Sequence, residues 1–340
     1  MHFRITIMKT YFDFPLKNHN TFGMDVRCRR FVAVEDETEV PEVISQYLHD
    51  KNFYILGGGS NVLFTKDFEG TIVHMQTSGI AIVEEDETIV KVVAAAGEPW
   101  KNFVNYCVAH GFYGVENLIG IPGLVGSCPV QNIGAYGAEV KDVIESVEGF
   151  YIPDGQPFVM SNADCHFGYR NSIFKNELKN RCLITKVVFK LSKKEKYNLS
   201  YRALSEKLQC EPLSLKKVAD TVSAIRKSKL PDVHELGSAG SFFKNPVVPQ
   251  NVLDSLLQRF PDLVHYPAVG GAKLAAGQLI DLCQWKGHRV GQVGTYPLQA
   301  LVIVNYGGAT GKDVVDFYSR IQADVYQMFG VKIEPEVNIL

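Results

Sequence analysis

The run Gly57-Gly58-Gly59-Ser60-Asn61 follows the apolar segment Phe53-Tyr54-Ile55-Leu56, and its residue types are those that meet a phosphate. Consecutive glycines let backbone N–H groups turn inward and approach an anion closely, while Ser60 and Asn61 add side-chain hydrogen bonds. The spacing departs from the dinucleotide fingerprint, because the third glycine is missing and Val62-Leu63-Phe64 reads as strand rather than helix. Taken alone, this stretch reads better as a plain tight turn. A second stretch, residues 114–137 (GVENLIGIPGLVGSCPVQNIGAYG), is rich in Gly and Pro yet full of apolar side chains. A loop of that kind is predicted to fold inward against a ligand rather than into solvent.

Three further segments carry polar groups in unusual company: FGYR (167–170), GSFFKNP (240–246) and EPEV (334–337). They offer a cation at Arg170, a hydroxyl at Ser241 and a carboxyl at Glu336. Each has an ordinary reading as well: a surface arginine, a capping serine, a solvated acidic segment. The nine histidines show neither metal-ligand spacing nor a nucleophile triad, so no metal is expected. Seven cysteines, odd in number and without a C-x-x-C pair, fit core thiols in a reducing compartment. Trp285 reads as a packing anchor.

The elements that must position these groups follow from periodicity. Short β-branched runs at 31–34, 71–75 and 88–94 alternate with Gly-rich turns and predict strands, and Val62-Leu63-Phe64 and 300–305 read the same way. Residues 38–49 and 100–110 carry apolar side chains at three- and four-residue spacing and predict helices with one buried face. After Lys194 the texture turns to helical patterns at 201–208, 215–227, 252–260, 275–283 and 312–329. The class is α+β. With 46% hydrophobic residues the chain can bury a large core, and a net charge of -2 without basic clusters argues against nucleic acid or an anionic membrane as partner. No apolar run approaches the roughly 20 residues that span a bilayer, and no signal peptide is read, so a cytoplasmic protein is expected. MHFRITI ahead of Met8 reads as an extension or an alternative start.

NTFG (20–23), LGGGSN, GIPGLVGS and PVQNIGAYG, with the three polar segments in the same order and spacing, resemble the UDP-N-acetylenolpyruvoylglucosamine reductase (MurB) family from Asn20 to Val337. The resemblance implies an FAD-binding domain of the vanillyl-alcohol-oxidase/PCMH type in two subdomains, 1–75 and 76–212. A C-terminal α+β substrate-binding domain, 213–340, then returns Glu336 to the active site on its last strand. It implies noncovalent FAD held by Gly57, Gly58, Gly59, Ser60 and Asn61 and wrapped by Ile119, Ile121, Pro122, Gly126, Ser127, Asn132, Ile133, Gly134, Ala135 and Gly137. Cys128 is weighed as a small packing residue rather than an attachment point.

The resemblance further implies NADPH as reductant and a UDP-sugar as substrate, in the making of peptidoglycan precursors. Arg170 would grip the carboxylate of an enolpyruvyl ether, Ser241 would protonate its α-carbon, and Glu336 would hydrogen-bond the developing enolic acid. Tyr136, Tyr201, Lys229, Asn245 and Gln299 would hold the sugar nucleotide, with a tyrosine loop of the longer family type closing over the pocket. No G-x-G-x-x-G opens a second dinucleotide site, so NADPH is expected to share the cleft in a double-displacement scheme. A monomer is expected. Two other readings compete: an FAD-dependent sugar or alcohol oxidase of the same fold, and an inactive sugar-nucleotide-binding protein. The SFFKNP and EPEV segments argue against the first, and the joint presence of Arg170, Ser241 and Glu336 against the second.

Overall fold

The computed structural model describes residues 8–49, 52–209 and 212–340; the MHFRITI segment and Cys210 lie outside them. The chain divides into two compact units. One comprises 1–14, 28–58 and 69–226, the other 15–27, 59–68 and 227–340. The expected cuts at 75/76 and 212/213 are contiguous, whereas the second unit also draws in two short segments from the first 68 residues.

The first unit carries two sheets. Lys9–Pro15, Arg27–Val34, Phe68–Met75 and Phe53–Leu56 lie side by side in that order, the last two parallel. The other is antiparallel, in the order Pro157–Ser161, Ile144–Tyr151, Cys182–Ser192, Ile89–Ala95, Ile80–Glu85. Its central strand, CLITKVVFKLS, is apolar on both faces because it is covered on both, so the two-residue alternation that marks a half-exposed strand is missing. Helix Trp100–Ala109 buries Trp100, Phe103, Val104 and Cys107, and the Phe103 and Phe189 rings pack 4.2 Å apart. Helix Val40–Tyr47 buries Val40, Val43 and Ile44.

The apolar side chains of the 114–137 loop go into this same core. Val115, Leu118, Val125 and Cys128 are buried among Trp100, Phe103 and Phe189, with Ile119, Ile121, Ile133 and Ala135 partly buried against them. The loop therefore folds inward first onto protein. Burial of about 1.5–3 kcal/mol per large apolar side chain is enough to hold so irregular a segment in place.

The second unit is built on the sheet Gly237–Ser241, Gln299–Asn305, Val293–Tyr296, Arg289–Val290, all antiparallel. Helix Gly311–Phe329 buries Val314, Phe317, Ile321 and Val325. It starts at a capping box, with Thr310 and Asp313 bonding each other's backbone, and stops at Gly330, whose φ of 67° ends the helix in a left-handed cap. The shorter helices Gln250–Arg259 and Ala276–Leu282 were also legible from apolar spacing.

Candidate active site

In the first unit the two Gly-rich stretches meet. A Cβ on Gly58 would lie 2.8 Å from the Gly123 Cα, so only glycine allows the backbones to approach this closely. Ser127 Oγ donates to Leu124 O at 2.7 Å, and Gly126 N–H donates to Ala96 O at 2.8 Å. The N–H groups of Gly57, Gly58 and, where the chain enters the second unit, Gly59 donate to no acceptor among the described residues. Successive unclaimed backbone donors are the donor set a diphosphate requires, and the residues present fit that part of FAD. Cys128 is buried, and desolvation raises its thiol well above the usual range, which disfavours the thiolate an attachment would use.

Arg170 sits in a tight turn in which Gly168 and Asn171 bond each other's backbone at 3.0 and 3.2 Å. Its backbone is left-handed, with φ 53°, and its Nη2 donates to Gly134 O at 2.8 Å. Asn132 is fully buried, and its side chain is committed internally. Its amide nitrogen donates to Gly168 O at 2.9 Å and Glu139 Oε2 at 3.1 Å, and its oxygen accepts from Lys141 N–H at 3.0 Å. Any ligand contact by Asn132 must go through its backbone; its side chain fastens the Gly-rich loop to the Arg170 turn.

Tyr136, another left-handed residue at φ 51°, sets its ring edge-on to Tyr201 with centroids 5.0 Å apart. Tyr201 caps helix Arg202–Leu208, its carbonyl accepting from Leu204 N–H at 2.9 Å. Asn117 joins the two segments: its amide donates to Tyr136 O and to Asn198 O, both at 2.8 Å. Gly137 O accepts from the Asn198 amide at 2.9 Å.

Arg226 was not singled out by the sequence analysis. It is half-buried, covers Gly120 and bonds the Tyr136 hydroxyl, and no carboxylate of the described residues pairs with it. Burial pushes the Tyr136 phenol up, and the Arg226 cation beside it pulls the other way. A signal did exist. Arg226 falls in register with Leu215, Ala219 and Val222 on the buried stripe of helix Leu215–Lys227, where a cation needs a reason.

In the second unit Ser241 ends the strand Gly237–Ser241. The pairing shifts by one residue between Ser238 and Ser241, with Gly240 left-handed at φ 70°, which makes a β-bulge. Bulges of this kind re-aim a side chain. Here the Ser241 hydroxyl is exposed and bonds nothing among the described residues. The next residue, Phe242, is buried and donates its N–H to Leu301 O at 2.8 Å while its carbonyl accepts from Glu336 N–H at 2.7 Å. Phe243 bridges Pro335, and Lys244 N–H donates to Glu334 O at 2.9 Å. EPEV thus runs as a backbone ladder beside SFFK and brings half-buried Glu336 next to Ser241.

Asn61 joins the same ladder. Its amide donates to Glu336 O at 3.4 Å, its carbonyl accepts from Asn338 N–H at 3.1 Å, and Val62–Leu63 pairs in parallel with Asn338–Ile339. NTFG closes the arrangement. Thr21 N–H donates to Gly59 O at 3.0 Å and Thr21 Oγ1 to Ser238 O at 2.6 Å. The Asn245 side-chain oxygen accepts from Ala276 N–H at 3.0 Å, which fixes the amide and leaves its nitrogen as a donor for a ligand. Gln299 opens its strand with Oε1 accepting from Leu301 N–H at 3.3 Å, and Lys229 is half-buried.

Among the described residues no cluster of His, Cys, Asp or Glu could hold a metal ion, and no helix is long and apolar enough to cross a membrane. A family model for an FAD binding domain matches residues 28–161, and one for the C-terminal domain of UDP-N-acetylenolpyruvoylglucosamine reductase matches 232–340. The reductase of Chromobacterium violaceum is 46% identical over 96% of this chain and 98% of its own. That of Flavobacterium johnsoniae is 43% identical over 98% and 100%. The solved structure of the reductase from Thermus caldophilus superposes with a TM-score of 0.67 at 25% identity, covering 98% of both chains. With Arg170, Ser241 and Glu336 each in a built environment, and relatives matched over nearly their whole length, the chain belongs to the UDP-N-acetylenolpyruvoylglucosamine reductase family.

Proposed function

We propose that the chain reduces the enolpyruvyl ether of UDP-N-acetyl-3-O-(1-carboxyvinyl)-glucosamine to UDP-N-acetylmuramate with NADPH, through noncovalent FAD. The observation that carries this reading is the bulge at Gly240, which leaves the Ser241 hydroxyl exposed and, among the described residues, unbonded beside the Glu336 backbone. FAD held at these residues would supply hydride-transfer chemistry between NADPH and the enolpyruvyl β-carbon. The chain's own groups do the rest. Arg170 neutralises the carboxylate on which negative charge accumulates, Ser241 delivers a proton to the α-carbon, and Glu336 bonds the enolic oxygen. Tyr136, Tyr201, Lys229, Asn245 and Gln299 hold the uridine diphosphate in this reading, with Arg226 added as a further cation.

The remaining cofactor contacts belong to the same proposal: Gly57 to Asn61 at the diphosphate, and Ile119, Ile121, Pro122, Gly126, Ser127, Asn132, Ile133, Gly134, Ala135 and Gly137 around the rest. Residues 1–75 and 76–212 would be the two FAD-binding subdomains, a division supported by their separate sheets, with 213–340 for the substrate. A cytoplasmic monomer that meets neither nucleic acid nor membrane completes the reading. It rests on the balanced charge and on the free thiols of the described cysteines.

Anaerobic mixing of the yellow protein with NADPH should bleach it, and adding the enolpyruvyl sugar nucleotide should restore the colour without oxygen. Reoxidation only by oxygen would favour an oxidase, and no bleaching at all a binding protein. Initial-rate lines at several NADPH concentrations should run parallel if both substrates share one cleft.

A further inference from the structure

We propose that Lys175 is a positioning residue for Arg170, holding the turn that aims its guanidinium; the inference rests on Arg170 acting as the carboxylate clamp of the reductase reading. Lys175 Nζ donates to the carbonyl oxygen of Arg170 itself at 3.0 Å. Arg170 is left-handed at φ 53°. For a residue with a Cβ that conformation is strained and persists only where the surroundings over-determine it.

The surroundings here are two side chains acting from opposite ends of the turn. Asn132 holds Gly168 O at 2.9 Å, and Lys175 holds Arg170 O. Lys175 can do this because its own base is fixed. It ends the 3₁₀ turn Ile173–Lys175, where Phe174 is buried in the core, Ser172 Oγ donates to Val130 O at 2.6 Å, and Ile173 N–H donates to Cys165 O at 2.9 Å.

An ammonium donating to a carbonyl is a charge-assisted bond, stronger than its neutral counterpart. It fixes the plane of the peptide that follows Arg170, and that plane, with φ, sets the direction in which the Arg170 Cβ leaves the chain. Without the ammonium the residue can relax toward the right-handed basin, and the guanidinium loses its reach to Gly134 O, now 2.8 Å away. A displacement of about 1 Å in a clamp can cost about 10²-fold in rate.

Lys175→Met keeps the aliphatic stem and removes the donor. Reoxidation of the reduced enzyme by the enolpyruvyl sugar nucleotide should slow about 10- to 100-fold, while flavin reduction by NADPH stays unchanged. Lys175→Arg, which can donate to the same carbonyl, should recover most of the loss. Placed on Arg170→Ala, Lys175→Met should cost nothing more, because its effect passes through Arg170. A calorimetric titration with UDP-N-acetylmuramate reads the clamp without turnover, and affinity should fall in Lys175→Met at unchanged flavin content. Equal slowing of both half-reactions, an undiminished effect in the Arg170→Ala background, or wild-type behaviour of Lys175→Met would each overturn the proposal. Failure of the underlying reading looks different: the unaltered enzyme, once reduced, would not be reoxidised by the enolpyruvyl compound at all.

Discussion

Arg170 and the pair Ser241 and Glu336 are positioned by opposite means. In the second unit the positioning is done by main chain. Glu336 N–H to Phe242 O, Phe242 N–H to Leu301 O and Lys244 N–H to Glu334 O form a main-chain ladder, to which the Asn61 amide adds one long side-chain bond at 3.4 Å to Glu336 O. In the first unit the Arg170 turn is closed by its own backbone but held in place by the side chains of Asn132 and Lys175. A ladder tolerates substitution of the residues along it and fails when the backbone itself is displaced. A turn held by side chains fails at single substitutions.

The largest effect should come from the group the ladder presents. Ser241→Ala is expected to slow reoxidation by the enolpyruvyl substrate about 10²- to 10⁴-fold and to spare reduction by NADPH, as stopped-flow traces of the two half-reactions would read. Equal slowing of both would make Ser241 a support of the flavin site instead.

Next comes a change that displaces backbone. Gly59 is left-handed at φ 62°, and a Cβ there would clash with the His19 carbonyl oxygen, which NTFG fixes in place. Gly59→Ala should cost about 2–5 kcal/mol, the sum of left-handed strain and overpacking, with loss of flavin on gel filtration. A wild-type melting temperature would show that the ladder has more slack than its hydrogen bonds imply.

Asn132→Ala should cost about 1–3 kcal/mol, because Gly168 O and Lys141 N–H lose a buried partner, and should slow reoxidation more than reduction. Pro335→Ala lies on the ladder itself and should leave both half-reactions unchanged, with stability altered by about 1 kcal/mol or less. If Pro335→Ala proved as damaging as Asn132→Ala, the contrast between the two regions would collapse.

The smallest effect is one of pH. Glu116 opens the long Gly-rich loop, is buried, and accepts from Gly114 N–H at 2.7 Å; desolvation raises its carboxyl above the usual range. The folded state therefore binds the proton more tightly than the unfolded chain. Its contribution to stability is fully present below the ordinary carboxylate pKa and is lost as pH rises through the folded value. Relative to wild type, Glu116→Gln should gain stability as pH rises above about 4. Parallel melting curves of the two proteins across pH 4–8 would remove Glu116 from the balance.

Much of this was legible before any coordinates. Helices such as Gly311–Phe329 and Gln250–Arg259 carry their apolar stripe and their stops in local sequence, and the Gly-rich loops announce close backbone approach by composition. What stayed hidden depends on partners far along the chain. Nothing near Lys175 says that its ammonium reaches back five residues to a carbonyl, and nothing near Asn132 says that its side chain is consumed internally. The central strand Cys182–Ser192 was missed as an element because burial on both faces erases its alternation. The two-unit division was hidden because pairing, rather than sequence texture, draws 15–27 and 59–68 into the second unit.

The parallel pairing of Val62–Leu63 with Asn338–Ile339 has a consequence for the newborn chain. Asn61 and Asn338, bonded in the folded protein, are 277 positions apart. At about 5–20 residues per second, roughly a quarter of a minute to a minute of synthesis separates them on the ribosome. For that interval the Val62–Leu63 edge has no partner to close on, while the first unit already has most of its sheets. Temporary shelter by a chaperone, or a slower last phase in refolding, is the expected cost of attaching the proposed phosphate loop to the strand that carries Glu336.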